Sequence, residues 1–202
     1  MSDTILHPPA HNAPAAFTRD QLDWLPWLEP LAAAELTPRH MEALVDAARA
    51  KSPYFRLLAR DPDVLEARTR TDKDIFYNPD GGLPRAEREL AAAAASRYNG
   101  CIYCASVHAR FAATYSKREA DVQRLLDEGV GADLDERWNA IVAASVALSA
   151  TPIAFGPQHV LRLRSAGLDD LAIADVINGA AFFNWANRLM LSLGEPALPP
   201  PG

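Results

Sequence analysis

The sequence predicts an all-α protein, and three observations support this prediction. Signals for helix starts recur, because an N-cap oxygen precedes a proline at Thr37-Pro38, Ser52-Pro53 and Asp61-Pro62. The run from Ala91 to Ala95 consists only of alanine, the residue with the highest helix propensity. No segment shows the convincing alternation of polar and apolar residues that a half-buried strand requires.

The alanine run lies in the first of six helices predicted for the second part of the chain. Asn99-Gly100 is expected to end this helix, because both residues tolerate the left-handed conformation of a helix C-cap. Gly167 and Asp169 are expected to separate the last two helices. The six predicted helices span residues 84–97, 101–115, 117–127, 135–149, 157–165 and 170–193.

The chain is predicted to have three parts: an N-terminal arm with a docking segment, an all-helical domain and a proline-rich tail. They span residues 1–36, 37–195 and 196–202, and the domain contains a redox motif at 84–126 and a second helical half at 133–195. Trp24 and Trp27 are costly to expose together. We therefore expect the docking segment to lie against the body of the protein or against a second subunit.

A weak internal repeat relates the two halves of the domain at an offset of 49 residues. Glu87-Arg88 matches Glu136-Arg137, and Ala94-Ala95-Ser96 matches Ala143-Ala144-Ser145. These five matched residues, two of which are alanines, suggest an internal helical repeat. At this offset the cysteines of the first half have no counterparts, so a second copy would share the scaffold and not the chemistry.

Composition and charge disfavour several function classes. The formal net charge of −6, with no cluster of Lys and Arg, argues against a nucleic-acid partner. No apolar run approaches the roughly 18–20 residues that span a bilayer, and no secretory signal is evident at the N-terminus. A cytoplasmic location is therefore expected. In that reducing compartment a Cys-x-x-Cys is more often redox-active or metal-binding than a structural disulfide.

The reactive side chains gather in one motif. Cys101, Cys104 and His108 have a spacing that places them along one face of a helix. Both cysteines fall in the first helical turn, where free N–H groups and the helix dipole favour a thiolate. Such a thiol, beside a base, has its pKa lowered from about 8.5 to roughly 3.5–7.5. Glu89, on the preceding helix, is a candidate to take or return the proton.

Each of these residues also has an ordinary structural interpretation. The two cysteines can be buried apolar thiols, and Glu89 by itself resembles a solvated helix carboxylate. A structural zinc site would use Cys101, Cys104, His108 and a fourth ligand. The chain has no second Cys-x-x-Cys to supply that ligand. Tyr103 is interpreted as a packing aromatic, and the other four histidines receive no role.

The motif resembles a known family. Glu89 followed by Cys101-x-x-Cys104-x-x-x-His108 is similar to the alkylhydroperoxidase D-like branch of the carboxymuconolactone decarboxylase superfamily. The longer string Asn99-x-Cys101-x-Tyr103-Cys104 and the C-terminal Phe183-Asn184-x-x-Asn187-Arg188 are similar to its peroxidase-related subgroup. The resemblance covers roughly residues 53–196.

The resemblance implies an all-helical fold, a homo-oligomer and the reduction of hydroperoxides by the two thiols. By position, Cys104 would be the peroxidatic cysteine, Cys101 would resolve it as an intramolecular disulfide, and His108 with Glu89 would relay protons. No haem, flavin or metal is implied. The family's histidine before the second cysteine is Tyr103 here, which removes one relay group. The decarboxylase branch typically lacks the cysteine pair, so lactone chemistry is disfavoured.

The sequence leaves open which cysteine attacks first. The helix dipole favours Cys101, whereas an adjacent His108 favours Cys104. We choose Cys104, because an adjacent base acts directly while the dipole contributes only about 0.3–1 kcal/mol at an exposed end. The predicted function is a thiol-dependent peroxidase that uses a hydroperoxide and an unidentified dithiol reductant. The alternatives are a disulfide reductase or redox sensor, and a non-enzymatic helical oligomer or metal-binding module.

Overall fold

The computed structural model describes residues 5–6 and 12–200, and it confirms the all-α prediction. This part of the chain contains nine α-helices, two short 3-10 helices (Ala33–Glu35 and Ala47–Lys51) and one two-stranded ribbon. The helices are α1 (Pro38–Ala43), α2 (Pro53–Leu58), α3 (Pro62–Tyr77), α4 (Arg85–Tyr98), α5 (Ile102–Ser116), α6 (Glu119–Glu128), α7 (Glu136–Ser149), α8 (Pro157–Ser165) and α9 (Asp170–Leu193). The strands are β1 (Asp23–Pro26) and β2 (Gly194–Ala197).

Capping side chains define several helix starts. Thr37, Asp61, Asp135 and Asp169 each accept a hydrogen bond from the backbone amide three residues later. These contacts satisfy amides that have no partner within the helix. Ser52 occupies the N-cap of α2 without such a side-chain bond. The predicted boundaries of α4 to α9 agree with the structure to within two residues.

Helix α4 lies at the centre of the core, with α5, α7 and α9 packed around it. All five alanines from Ala91 to Ala95 are fully buried. Their small side chains allow close approach: a Cβ added to Gly179 of α9 would lie 3.6 Å from the carbonyl oxygen of Arg88. The alanine run therefore positions the neighbouring helices as well as favouring helix formation.

The ribbon corrects the expectation that the chain has no strand. β1 pairs antiparallel with β2, and Trp24 of β1 lies opposite Pro196. Trp24 is buried and meets the Tyr54 ring edge to face, with ring centroids 5.3 Å apart. The docking segment thus lies against the body of its own chain. The predicted tail begins within β2, and the arm residues 1–4 and 7–11 and the tail residues 201–202 lie outside the described residues.

The internal repeat has a limited counterpart in the structure. Helices α4 and α7 pack against each other and correspond at the proposed offset to within two residues. Their successors do not: α5 begins at Ile102, whereas α8 begins only at Pro157. The repeat therefore relates α4 to α7, and it stays a prediction for the rest of the domain.

Two further sequence predictions concern membrane-spanning helices and homo-oligomerisation. None of the helices in the described ranges has the length and apolarity needed to cross a membrane. Homo-oligomerisation stays a prediction. Because Trp24 is buried within the chain, that prediction now depends more on the exposed apolar side chains of α9, among them Trp185 and Leu191.

Candidate active site

The turn between α4 and α5 places the two cysteines. Gly100 adopts a φ of 80°, the left-handed conformation expected after a helix end. The amide of Cys101 then donates a hydrogen bond of 2.9 Å to the carbonyl oxygen of Ser96, which is the pattern of a Schellman motif. Cys101 consequently becomes the N-cap of α5, and Cys104 lies in the first turn of the helix.

The two sulfur atoms lie 2.9 Å apart and both are buried. Cys101 is 2% exposed and Cys104 is 5% exposed. Both thiols are free in this structure. The arrangement brings together two reduced thiols that can form a disulfide with a small local adjustment.

Glu89 reaches the motif from the adjacent helix. Its Oε2 lies 2.5 Å from Nδ1 of His108, and its Oε1 accepts a hydrogen bond of 2.6 Å from Nε of Arg85. Glu89 is completely buried, which contradicts its interpretation as a solvated carboxylate. A carboxylate at Nδ1 orients the imidazole and leaves Nε2 as the nitrogen available for proton exchange. The His108 ring is held between Phe76 and Phe183.

The two thiols differ in acidity. A hydrogen bond with Cys104 lowers the pKa of Cys101, and this effect outweighs the burial that acts against it. Burial raises the pKa of Cys104 well above its ordinary value, and the neighbouring Cys101 acts in the same direction. The sequence predicts a lowered pKa at Cys104 because of His108. In the structure the pKa is instead lowered at Cys101 and raised at Cys104.

An asparagine network holds the sulfur pair against α9. Asn187 is fully buried, and its Nδ2 donates a hydrogen bond of 3.0 Å to Oγ of Ser96. Nδ2 of Asn99 donates to Oδ1 of Asn184 and to Oδ1 of Asn187, each at 3.1 Å. The Asn187 amide also lowers the pKa of both thiols by hydrogen bonding, although burial remains larger at Cys104.

A cavity of about 180 Å³ opens beside Cys104. Its wall is mostly aromatic, with charged side chains at intervals, and includes Tyr54, Arg68, Phe76, Tyr103, His108 and Phe183. Cys104, Glu89 and Arg85 also line it, whereas Cys101 does not. A small molecule that entered the cavity would therefore meet Cys104 before Cys101.

The structure brings together all four residues singled out in the sequence, but not with the contacts expected. His108 contacts Glu89, and none of the hydrogen bonds described for residues 5–6 and 12–200 joins its ring to a sulfur. No group of three or more His, Cys, Asp or Glu within these ranges is arranged to hold a metal ion.

Several neighbours of the site received no role from the sequence. Arg85 precedes Glu89 by one helical turn, a spacing that could have indicated the ion pair. Asn187 is a buried polar residue in the otherwise apolar face of α9, a pattern that signals a hydrogen-bonded site. Arg68 and Tyr54 approach from α3 and α2, and their sequence context gave no signal.

The central part of the chain is similar to a known protein family. Residues 62–144 match the carboxymuconolactone decarboxylase family. This region contains Glu89, Cys101, Cys104 and His108, whereas Asn187 lies beyond it. No protein of curated function matches the chain.

Solved structures extend the similarity to most of the chain. The alkylhydroperoxidase AhpD core of a peroxidase-related protein from Ralstonia eutropha JMP134 has a TM-score of 0.70 at 23% identity, covering 82% of this chain and 88% of that one. A peroxidase-related protein from Silicibacter sp. TM1040 has a TM-score of 0.69 at 23% identity, covering 83% and 91%. The debrominase Bmp8 has a TM-score of 0.66 at 18% identity, covering 81% and 88%.

At these identities the similarity shows a shared fold. It agrees with the resemblance drawn from the Cys-x-x-Cys-x-x-x-His motif and its upstream glutamate. Residues 62–144 are thus similar to the carboxymuconolactone decarboxylase family, in a chain that has the helical fold of alkylhydroperoxidase AhpD-core and peroxidase-related proteins.

Proposed function

We propose that this protein is a thiol-dependent peroxidase that reduces small organic hydroperoxides through Cys104 and Cys101. The observation that carries the proposal is the position of Cys104. Its sulfur lines an apolar cavity on one side and lies 2.9 Å from a second thiol on the other. A substrate oxygen and a resolving thiol can therefore reach the same sulfur in succession.

The first step oxidises Cys104. Its thiol proton passes to the His108–Glu89 pair, and the thiolate attacks one oxygen of the hydroperoxide. An S–O bond forms and the O–O bond breaks, which gives a sulfenic acid. The alkoxide that leaves takes the proton back from His108 and departs as an alcohol.

The second step forms the disulfide. Cys101 attacks the sulfur of the sulfenic acid, and the hydroxyl group takes a proton and leaves as water. The lowered pKa of Cys101 suits this role, because a thiolate is the attacking form. One hydroperoxide and two thiols thus become one alcohol, one water molecule and one disulfide. An external dithiol then reduces the disulfide and is itself oxidised.

Two observations bear on the choice of the attacking cysteine and favour different residues. The pKa directions favour Cys101, which holds the thiolate more readily. Access favours Cys104, which lines the cavity. We assign the attack to Cys104, because a buried thiolate that a substrate cannot approach does not react.

The disulfide reductase alternative fits the site less well. Both sulfurs are at most 5% exposed, and the cavity beside Cys104 has a volume of about 180 Å³. A disulfide on the surface of another protein is too large for such an opening, whereas a hydroperoxide is not. For the same reason we expect a small dithiol to be an effective reductant in vitro.

The test is peroxide consumption with cumene hydroperoxide and dithiothreitol. Wild-type protein should consume the peroxide catalytically, and Cys104→Ser should not. Cys101→Ser is the matched variant, because it should consume one equivalent, retain a sulfenic acid and then stop. Absence of turnover in the wild type contradicts the proposal. A sulfenic acid that forms in Cys104→Ser and not in Cys101→Ser reverses the assignment of the two cysteines.

A further inference from the structure

Two guanidinium nitrogens that have no hydrogen-bond acceptor among the described residues belong to Arg68, which lies in the wall of the cavity. The Arg68 side chain is only 8% exposed. Its Nε and Nη1 atoms are buried and have no hydrogen-bond partner among the described residues. Buried guanidinium nitrogens are normally hydrogen-bonded, and leaving them without an acceptor is costly. An acceptor is therefore expected to come from a molecule in the cavity.

Tyr54 supplies a second polar group of the same kind. Tyr54 is 5% exposed and lines the same cavity. Its hydroxyl oxygen has no hydrogen-bond partner within the described ranges. The Tyr54 ring is held by edge contacts with Trp24 and Phe55. A hydroxyl held in this way can donate to an acceptor in the cavity with little loss of side-chain entropy.

Around Arg68, the guanidinium groups outnumber the carboxylates that pair with them. Asp72 is its nearest carboxylate, with Oδ2 3.5 Å from Nη1 of Arg68 and 3.6 Å from Nη2 of Arg49. One carboxylate is thus shared between two guanidinium groups. Glu89, the other carboxylate in the wall, is already paired with Arg85 and His108.

The rest of the local environment fits the apolar part of a ligand. Arg68 lies over the rings of Phe55 and Phe182, with its central carbon 5.4 Å and 5.3 Å from their centroids. The cavity of about 180 Å³ is slightly larger than the engineered cavity of about 150 Å³ that holds benzene. One aromatic ring or a short alkyl chain would occupy it.

From these contacts we infer that Arg68 and Tyr54 form an anion-binding subsite for the carboxylate of a small organic acid. The acid's apolar body would lie in the cavity beside Cys104. Under the proposed function, on which this extension depends, the natural substrate is a hydroperoxide that carries a carboxylate group. Arg68 binds the carboxylate, and the hydroperoxide group at the other end of the molecule faces Cys104.

Binding is tested without any peroxide, by calorimetric titration of the reduced protein with benzoate and with benzamide. These ligands have similar shapes and differ in charge. Benzoate should bind at least about tenfold more tightly, as expected for hydrogen bonds to a charged group. Arg68→Met should remove this preference, and Tyr54→Phe should weaken benzoate binding severalfold. Arg70→Met is the matched control, because Arg70 is exposed on the same helix and pairs with Glu66.

Equal binding of the two ligands by the wild type, or an equal effect of Arg70→Met and Arg68→Met, overturns the inference. If Arg68 serves only as a charge near the Cys104 sulfur, Arg68→Met will change the pH dependence of thiol alkylation and leave the benzoate preference intact, which also overturns it. Should Arg68→Met fail to fold, the wild-type preference and the milder Tyr54→Phe variant decide the matter.

A comparison of two substrates of the wild-type protein tests this inference separately from the proposed function. Cumene hydroperoxide is compared with its para-carboxylate derivative as a substrate, and kcat/KM should be at least about tenfold higher for the carboxylate. Benzoate binding without peroxide consumption keeps the subsite and removes the proposed function. Peroxide consumption without a preference for the carboxylate keeps the function and removes the subsite.

Discussion

Nδ1 of His108 lies 2.5 Å from Oε2 of Glu89, although the two residues are 19 positions apart and belong to different helices. The contact crosses from α5 to α4, the two helices that the Asn99-Gly100 turn joins. Arg85 holds the other carboxylate oxygen. Arg85, Glu89 and His108 thus form a contiguous chain of contacts that reaches the cavity lined by Cys104, and a proton relay through Glu89 and His108 stays a prediction.

We expect Glu89→Gln to lower peroxide turnover by about 10²–10⁴-fold, the range of a positioned acid–base group. The variant also leaves Arg85 without its carboxylate, so the free energy of unfolding should fall by about 3 kcal/mol, at the low end for a broken buried ion pair. Stopped-flow kinetics and urea denaturation measure the two effects. Glu87→Gln is the matched control: it breaks the Arg137 ion pair and should leave turnover unchanged. Equal kinetic losses in both variants would assign Glu89 a structural role.

We expect mild peroxide treatment to join Cys101 and Cys104, because their sulfurs are 2.9 Å apart and both are free. Mass spectrometry of the digested protein should show the loss of two hydrogens within a single peptide, and a dithiol should reverse it. Cys101→Ser provides the comparison, since its Cys104 should retain a sulfenic acid and form no bridge. Separate over-oxidation of the two thiols in the wild type, without a bridge, would remove Cys101 as the resolving residue.

We expect Asn187→Ala to make both thiols less acidic. The Asn187 amide lowers the pKa of Cys101 and of Cys104 by hydrogen bonding, so its loss destabilises the thiolate form of each. The rate of alkylation by iodoacetamide should then rise at a higher pH than in the wild type. Asn178→Ala, at an exposed position of the same helix, should leave the profile unchanged. A profile that moves to lower pH in Asn187→Ala would contradict the assigned hydrogen bonds.

We expect Gly194→Ala to destabilise the protein by loosening the ribbon. A Cβ at this position would clash with the backbone carbonyl oxygen of Leu25 and lie 2.5 Å from Cζ2 of Trp24, so both the strand backbone and the indole would have to move. Such overpacking typically costs about 1–3 kcal/mol, measured here as a lower midpoint of urea denaturation. Gly131→Ala provides the control, since an added Cβ there meets nothing within 4 Å. Unchanged stability of Gly194→Ala would contradict this account, because it would mean that Trp24 and the backbone of Leu25 can both shift without cost.

The sequence by itself determined the helical architecture and the identity of the reactive groups. Capping residues such as Thr37 and Asp61, the alanine run and the Asn99-Gly100 turn act locally, so their effects can be interpreted from neighbouring residues. Helical periodicity also predicts that Cys104 and His108 share one face of α5, with Cys101 at its start.

Only the tertiary structure decided how these groups interact. Burial of Glu89, the acidity of each thiol and the positions of Asn187, Arg68 and Tyr54 depend on helices that are distant in sequence. Desolvation and hydrogen bonding across those helices set the thiol pKa values, and neither can be deduced from helical spacing. The same reason explains the ribbon: β1 and β2 are each four residues long, and their pairing joins segments near the two ends of the chain.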